Sequence, residues 1–254
     1  MSSFWFIRHA ESESNAGLPS ITPANINITE KGKRQAECIA KYIKNKPSLF
    51  IHSPYKRTTQ TGQPLFDKFP DVPIEEWPIQ EFTYLPPEAY YQTTTMQRHP
   101  HSRRYFRNGD PDYVTGEGAE SFNQFRKRVK DTLHKLKQLE SGSTIIFGHG
   151  WFIRTTLWEE IMKDGLSEEE KKQQLKIYKE KLYTSPFLFK LYSLFGQKRW
   201  KNIMYNFLFF SSTILIPNGT IIKFSVDSSK RIQLTEQVNY HIPAELKGAN
   251  WVDR

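Results

Sequence analysis

The sequence predicts an α/β fold of three layers: a mostly parallel central sheet with helices on both faces, plus a cap and a helical insertion. Three observations lead there. The runs Phe4-Trp5-Phe6-Ile7, Leu49-Phe50-Ile51 and Thr144-Ile145-Ile146-Phe147 have the length and apolar character of buried strands, and each stops at a polar residue or glycine. Helical periodicities separate them in the order β-α-β … α-β, with short connections, as a parallel sheet covered on both faces requires. A chain of 254 residues, 37% hydrophobic, can bury a sizeable core.

The first run ends at Arg8, and a polar loop with Pro19 and Pro23 follows. Thr29 is placed to cap a helix from Glu30, with Ala36, Ile39, Ala40 and Ile43 on one apolar face. Cys38 in that helix reads as ordinary packing. The second strand ends at His52-Ser53-Pro54, and residues 55–66 read as helix. Residues 70–119, with seven prolines, several aromatics and four arginines, read as an excursion with little regular structure. Ser121 opens the clearest helix, in which Phe122, Phe125, Val129, Leu133, Leu136 and Leu139 repeat at helical spacing. The third strand stops at Gly148-His149-Gly150. Ser167-Glu168-Glu169-Glu170 is a capping-box pattern, and Leu175, Tyr178 and Leu182 continue that helix as a stripe. Residues 214–216, the turn Pro217-Asn218-Gly219 and residues 221–224 read as a hairpin, with 231–235 as an added edge strand. The whole reads as one domain over 1–254, with its cap at about 70–119 and its insertion at about 165–212.

Composition narrows the class. A single cysteine excludes a disulfide-stapled secreted domain and fits a reducing, cytoplasmic compartment. The first nine residues reach a charge and a histidine before a signal-peptide core develops, and no run approaches the roughly 20 apolar residues of a spanning helix. The net charge is +9, and its excess is local. Residues 98–107 hold four arginines and no acid; residues 165–201 hold nine basic residues against four acidic. Neither groove-reading nor single-strand motifs accompany that charge, so no nucleic-acid partner is expected.

Parallel sheets bind ligands beyond the carboxyl ends of their strands. Arg8-His9 and His149 both stand at such exits, so two histidines can face one pocket. The segments Arg8-His9-Ala10-Glu11-Ser12-Glu13-Ser14-Asn15, Ser53-Pro54-Tyr55-Lys56-Arg57-Thr58 and Gly148-His149-Gly150, in this order, strongly resemble the histidine phosphatase (phosphoglycerate mutase-like) superfamily, in its phosphatase-type branch. Thr29-Glu30-Lys31-Gly32 and Glu120-Ser121-Phe122 extend the likeness, which covers residues 4 to about 157 and resumes weakly at Ile216-Pro217-Asn218.

The resemblance implies phosphomonoester hydrolysis through a phosphohistidine. His9 is then the nucleophile, with its other ring nitrogen fixed by a backbone carbonyl. Arg8 and Arg57 are implied phosphate ligands, permanently charged planar forks that a lysine does not replace. His149 and Asn15 are implied donors to the phosphoryl group, and Gly150 lets backbone approach it. Ser12 is a further candidate ligand, or only turns the loop, and Glu11 buttresses an arginine. An alkoxide leaves poorly, so an acid is needed. Glu81 matches the family's position for it, with Glu75, Glu76 and Glu88 as nearby competitors. The resemblance implies neither cofactor nor metal; the pair His99-Pro100-His101, a conceivable metal site, reads as part of a solvated arginine-rich loop.

The implied partner is a small-molecule or protein phosphate ester. Arg98, Arg103, Arg104 and Arg107 either recruit a multiply anionic substrate to the cap or form a solvated loop. Two other readings stay open. One is a phosphoglycerate-type mutase. The other is a phosphate-binding or interaction module, whose 165–212 segment carries 11 of the chain's 36 aromatics and contacts a membrane surface or partner. Against that contact stands a plainer role, in which Phe187, Leu188, Leu191, Leu194 and Phe195 extend the core.

Overall fold

The computed structural model describes residues 2–196 and 202–248. Its strands are β1 (Ser2–Arg8), β2 (Leu49–His52), β3 (Ile74–Glu76), β4 (Gly142–Gly148), β5 (Ile221–Val226) and β6 (Ile232–Val238). Among the described residues they form one sheet in the order β3-β2-β4-β1-β5-β6. The pairs β1–β4, β2–β4 and β2–β3 are parallel, while β1–β5 and β5–β6 are antiparallel. The α/β fold with a mostly parallel sheet is therefore as expected. Register sets β1 beside β4 so that Arg8 lies opposite Gly148, which brings the two histidine-bearing strand ends together.

Alternation along each strand divides the core between the faces. Phe4, Phe6, Ile51, Ile146 and Phe224 face one cluster, and Ile7, Phe50, Ile145, Phe147 and Ile221 face the other. Helices α1 (Glu30–Tyr42) and α2 (Lys56–Lys68) cover the second face through Ile39, Leu65 and Phe66. Thr29 caps α1 as expected, accepting a hydrogen bond from the Gly32 amide. Helices α4 (Phe122–Gln138) and α5 (Gly150–Ile161) cover the first face.

The cap differs from its expectation. Residues 98–107 are not loop: they lie within a 14-residue helix, α3 (Thr95–Asn108). A capping box between Thr94 and Gln97 starts it, and Gly109, at φ 72°, ends it. Pro100 removes one helical hydrogen bond, but the buried rings of Tyr105 and Phe106 hold the helix down, Phe106 stacking on Trp151 at 5.6 Å. His99 and His101, two residues apart on a helix, point to different faces.

The segment 165–212 folds as α6 (Glu168–Lys181), α7 (Pro186–Leu191), a five-residue π-turn over 192–196, and α8 (Ile203–Thr213). Its Leu175, Tyr178, Leu182, Phe189, Tyr192, Met204, Phe207 and Phe210 all join the first-face core. The core therefore does extend through this segment, but with another phase than expected. Phe187 is 73% exposed and Leu194 58%, Leu188 and Leu191 are half-buried, and the Phe195 side chain and residues 197–201 lie outside the described residues. None of the described helices is long and apolar enough to cross a membrane.

The expected hairpin over 214–224 is also displaced. The antiparallel hairpin is β5–β6, turning at 227–230. Residues 214–216 are extended, but apart from one bridge between Ile214 and Thr184 they join no strand. Their carbonyls serve the site instead.

Candidate active site

His9 is the first residue beyond β1, and its amide donates to Gly148 O across the strand ends (2.9 Å). Its ring Nδ1 lies 2.8 Å from Ala10 O. A carbonyl only accepts, so Nδ1 carries the proton and Nε2 carries the free lone pair. Burial, then the charges of Arg57 and Arg8, hold the ring well below the ordinary imidazole range. The neutral ring keeps a lone pair on Nε2, in a cavity that His9 lines together with arginines.

His149, the residue capping α5, is fully buried, with its ring centroid 5.2 Å from that of His9. Arg57 Nη2 donates to its Nδ1 (3.1 Å), which places the ring proton on Nε2, facing Ser53 Oγ at 2.7 Å. Both ring nitrogens are thus engaged within the protein, and His149 stands behind Arg57 rather than on the cavity wall. Arg57 is only 6% exposed; its Nη1 donates to Pro23 O (2.7 Å) and its guanidinium lies 4.8 Å over the Tyr55 ring. Arg8 Nη1 donates to Ile216 O. The fork of each arginine is therefore oriented by a backbone carbonyl, and that of Arg57 by His149 as well, while both side chains line the cavity.

That cavity has a volume of about 320 Å³ and is lined by Arg8, His9, Ser12, Asn15, Arg57, Glu81 and Gly150, among others. The structure thus brings together seven of the eight residues singled out in the sequence, with His149 directly behind. Asn15 Oδ1 is occupied by Ser12 Oγ (3.0 Å) and Asn218 Nδ2 (2.9 Å), leaving its amide NH₂ as the donor for a ligand. Ser12 spends its hydroxyl on that bond, as a loop-turning residue does. Glu11 pairs with Lys31 (3.0 Å) and accepts from Thr29, not with an arginine. Gly150 is closely packed: a Cβ there would lie 3.0 Å from Arg154 Nη1 and 3.4 Å from Arg8 Nε, so both side-chain ends would have to shift by a few tenths of an ångström.

Among the competing acids, Glu81 alone reaches the cavity. Its Oε1 accepts from the amides of Phe82 (3.2 Å) and Trp151 (3.0 Å), the latter an otherwise unpaired amide in the first turn of α5. Burial lifts its carboxyl above the usual range, against the opposing charges of Arg57, Arg8 and Arg154. Glu75 instead accepts from Trp77 Nε1 (2.7 Å) at the sheet edge, and Glu76 and Glu88 are exposed.

Of the four cap arginines, only Arg98 lines the cavity. It is 6% exposed, donates to Thr93, Ser14 and Thr95, and stacks on Tyr90 at 4.6 Å. Arg103, Arg104 and Arg107 line a separate outer groove with His99 and Pro100. Sequence reasoning missed three contributors. Asn218, read as a hairpin turn, ties His9 O and Asn15 together. Ser53 anchors His149. Arg154 lines the cavity from α5, and a lone arginine within the apolar run Trp151-Phe152-Ile153 was the signal for it.

The neutral histidines give stability a pH dependence. His9 and His149 are depressed below the unfolded value of about 6.5, and burial also pushes His241 down to about 4. Below pH 6.5 the unfolded chain therefore binds more protons than the folded one. Their contribution is complete above that pH and is lost as pH falls, by up to about 1.4 kcal/mol per group per pH unit. Thermal unfolding between pH 7 and 5 is expected to show a falling Tm, with a shallower fall in His9→Gln. Parallel slopes for the two proteins would contradict the assignment of His9.

A sequence profile of the family described as histidine phosphatase superfamily (branch 1) matches residues 4–173. Comparison with curated proteins gives no match. Similar solved structures include the alpha-ribazole phosphatase from Shigella flexneri, at 15% identity, covering 92% of this chain and 95% of that one, TM-score 0.59. The phosphoserine phosphatase from Entamoeba histolytica, in complex with 3-phosphoglyceric acid, shows 18% identity, 95% and 99% coverage and a TM-score of 0.60. A mycobacterial glucosyl-3-phosphoglycerate phosphatase shows 16%, 92% and 97%, and 0.60. At these identities the likeness is one of fold.

Proposed function

Because the chain belongs to the histidine phosphatase superfamily, we propose that it hydrolyses phosphate monoesters through a phosphohistidine on His9, with Glu81 as general acid. The observation that carries this reading is the tautomer of His9: Nδ1 donates to Ala10 O, so Nε2 is free to attack phosphorus. In the first step Nε2 forms a bond to phosphorus as the ester P–O bond breaks, and the leaving oxygen takes the Glu81 proton. In the second, water attacks the phosphoryl group, Glu81 carboxylate accepts its proton, and the P–N bond breaks to release phosphate. Arg8 and Arg57 neutralise the equatorial oxygens, where charge neutralisation and positioning dominate the catalysis of phosphoryl transfer. Asn15 supplies a further donor. His149 accepts from Arg57 at Nδ1 and turns its Nε2 proton to Ser53 Oγ, so its part in this reading is to position Arg57 rather than to donate to the phosphoryl group.

The arginines supply the positive charge that a metal would otherwise bring, so no metal or cofactor is required in this reading. The substrate is a phosphate ester met in the cytoplasm. The test is phosphate release from a panel of alkyl and aryl phosphate monoesters, with and without a chelator. Hydrolysis indifferent to the chelator is the expected result. Phosphate passed only to a second phosphorylated acceptor would replace hydrolysis by mutase chemistry. Inertness towards every ester would leave a phosphate-binding module.

A further inference from the structure

We infer that Arg154, together with the Nε of Arg8, forms a second anion subsite on the leaving-group side of the cavity, and that the preferred substrate carries a carboxylate or second phosphate there. The inference rests on the phosphatase reading above and specifies its substrate class. Arg154 follows Gly150 by one helical turn of α5, so both face the same side. Both guanidiniums lie against the bare Cα of Gly150, where a Cβ would stand 3.0 Å from Arg154 Nη1 and 3.4 Å from Arg8 Nε. Two carbonyls of one extended segment hold them: Ile214 O accepts from Arg154 Nε (3.1 Å) and Ile216 O from Arg8 Nη1.

What remains is a set of donors without protein acceptors. Arg8 Nε is buried and unpaired. Arg154 lines the cavity, and among the described residues it forms no ion pair and none accepts from its two terminal nitrogens. A buried donor without an acceptor is unfavourable, and a bound oxyanion supplies the missing acceptor. Burial and then the charge of Arg8 push Arg154 down to about 10, against the opposing charge of Glu81. Four arginines, Arg8, Arg57, Arg98 and Arg154, line the cavity against the single acid Glu81. A phosphate monoester dianion balances only two of them, and Arg98 is already held by hydroxyls and the Tyr90 ring.

The side of the cavity follows from α5. Glu81 Oε1 accepts from the Trp151 amide (3.0 Å) in the first turn of the helix that carries Arg154. Arg154 and Glu81 both line the cavity, so an anion held by Arg154 belongs to the part of the substrate the acid must reach, the leaving group. A cavity of about 320 Å³ lies at the small end for ligand sites, which suits a short phosphorylated acid rather than a protein segment.

The test uses esters that differ only in the anion: 3-phosphoglycerate against glycerol 1-phosphate, and phosphoglycolate against 2-hydroxyethyl phosphate. The readout is the ratio of kcat/KM within each pair, which is independent of the fraction of protein folded. The wild type is expected to favour the carboxylate by about ten- to hundredfold in at least one pair, and Arg154→Met to bring that ratio close to one. A wild-type ratio near one in both pairs, or a preference that survives in Arg154→Met, overturns the subsite. If the wild type hydrolyses no ester, the phosphatase reading has failed instead. Calorimetric titration with the same pairs then decides the subsite alone, by whether the carboxylate strengthens binding and Arg154→Met abolishes the difference.

Discussion

His9→Ala is expected to lower turnover of every phosphate monoester by roughly 10⁴ or more, because it removes the atom that accepts the phosphoryl group. The loss should fall on kcat. Arg8 and Arg57 are oriented by Ile216 O and Pro23 O, neither of which involves the His9 ring. The phosphate cradle therefore survives, and inorganic phosphate should still bind, as titration calorimetry would show. Loss of phosphate binding together with activity would mean that the ring holds the cradle rather than performing the chemistry. Turnover within tenfold of wild type would remove His9 from the mechanism.

Glu81→Gln is expected to give the second largest effect, and one that depends on the leaving group. An alkyl ester expels a poor leaving group that needs the proton, so phosphoenzyme formation should slow by about 10²–10⁴. p-Nitrophenyl phosphate expels a stabilised phenolate and needs no proton. Its first step should persist, giving a burst of nitrophenolate equal to the enzyme, followed by slow turnover because Glu81 also serves as base for water. The pH profile follows the same logic. Burial raises the Glu81 carboxyl, so the acid form persists above the usual carboxylate range and activity on alkyl esters falls as pH rises through its value. That limb should vanish in Glu81→Gln. Equal slowing of phosphoenzyme formation from both esters, measured by rapid quench, would show that Glu81 shapes the cavity without donating a proton.

The parts of the site that the sequence disclosed are those at strand ends. Arg8, His9 and His149 sit where a short apolar run stops, and register between β1 and β4 alone brings them together. Glu81 was legible only by likeness, since its depth depends on the Trp151 amide 70 residues away. Arg154 was hidden because α5 is buried nearly all round, so no polar face marked it out. Asn218 was misread because Asn-Gly is a turn signal, and here the turn serves His9 O and Asn15 Oδ1. In the cap, Pro100 and a scarcity of apolar residues masked α3, although Thr94 and Gln97 spelled its capping box. In the insertion, strong aromatic content was plain but its phase was not. Phe189, Tyr192 and Phe207 pack against partners distant in sequence, leaving Phe187 outside.

The most direct test is to trap the intermediate. Wild-type protein mixed with a phosphate ester labelled in its phosphoryl group, quenched in alkali within one turnover and digested, should carry the label on the peptide containing His9. The bond should be stable to alkali and lost in acid, as a phosphoramidate is. Label on any other residue, or release of all phosphate in a single turnover without labelled protein under rapid quench, would contradict the phosphohistidine.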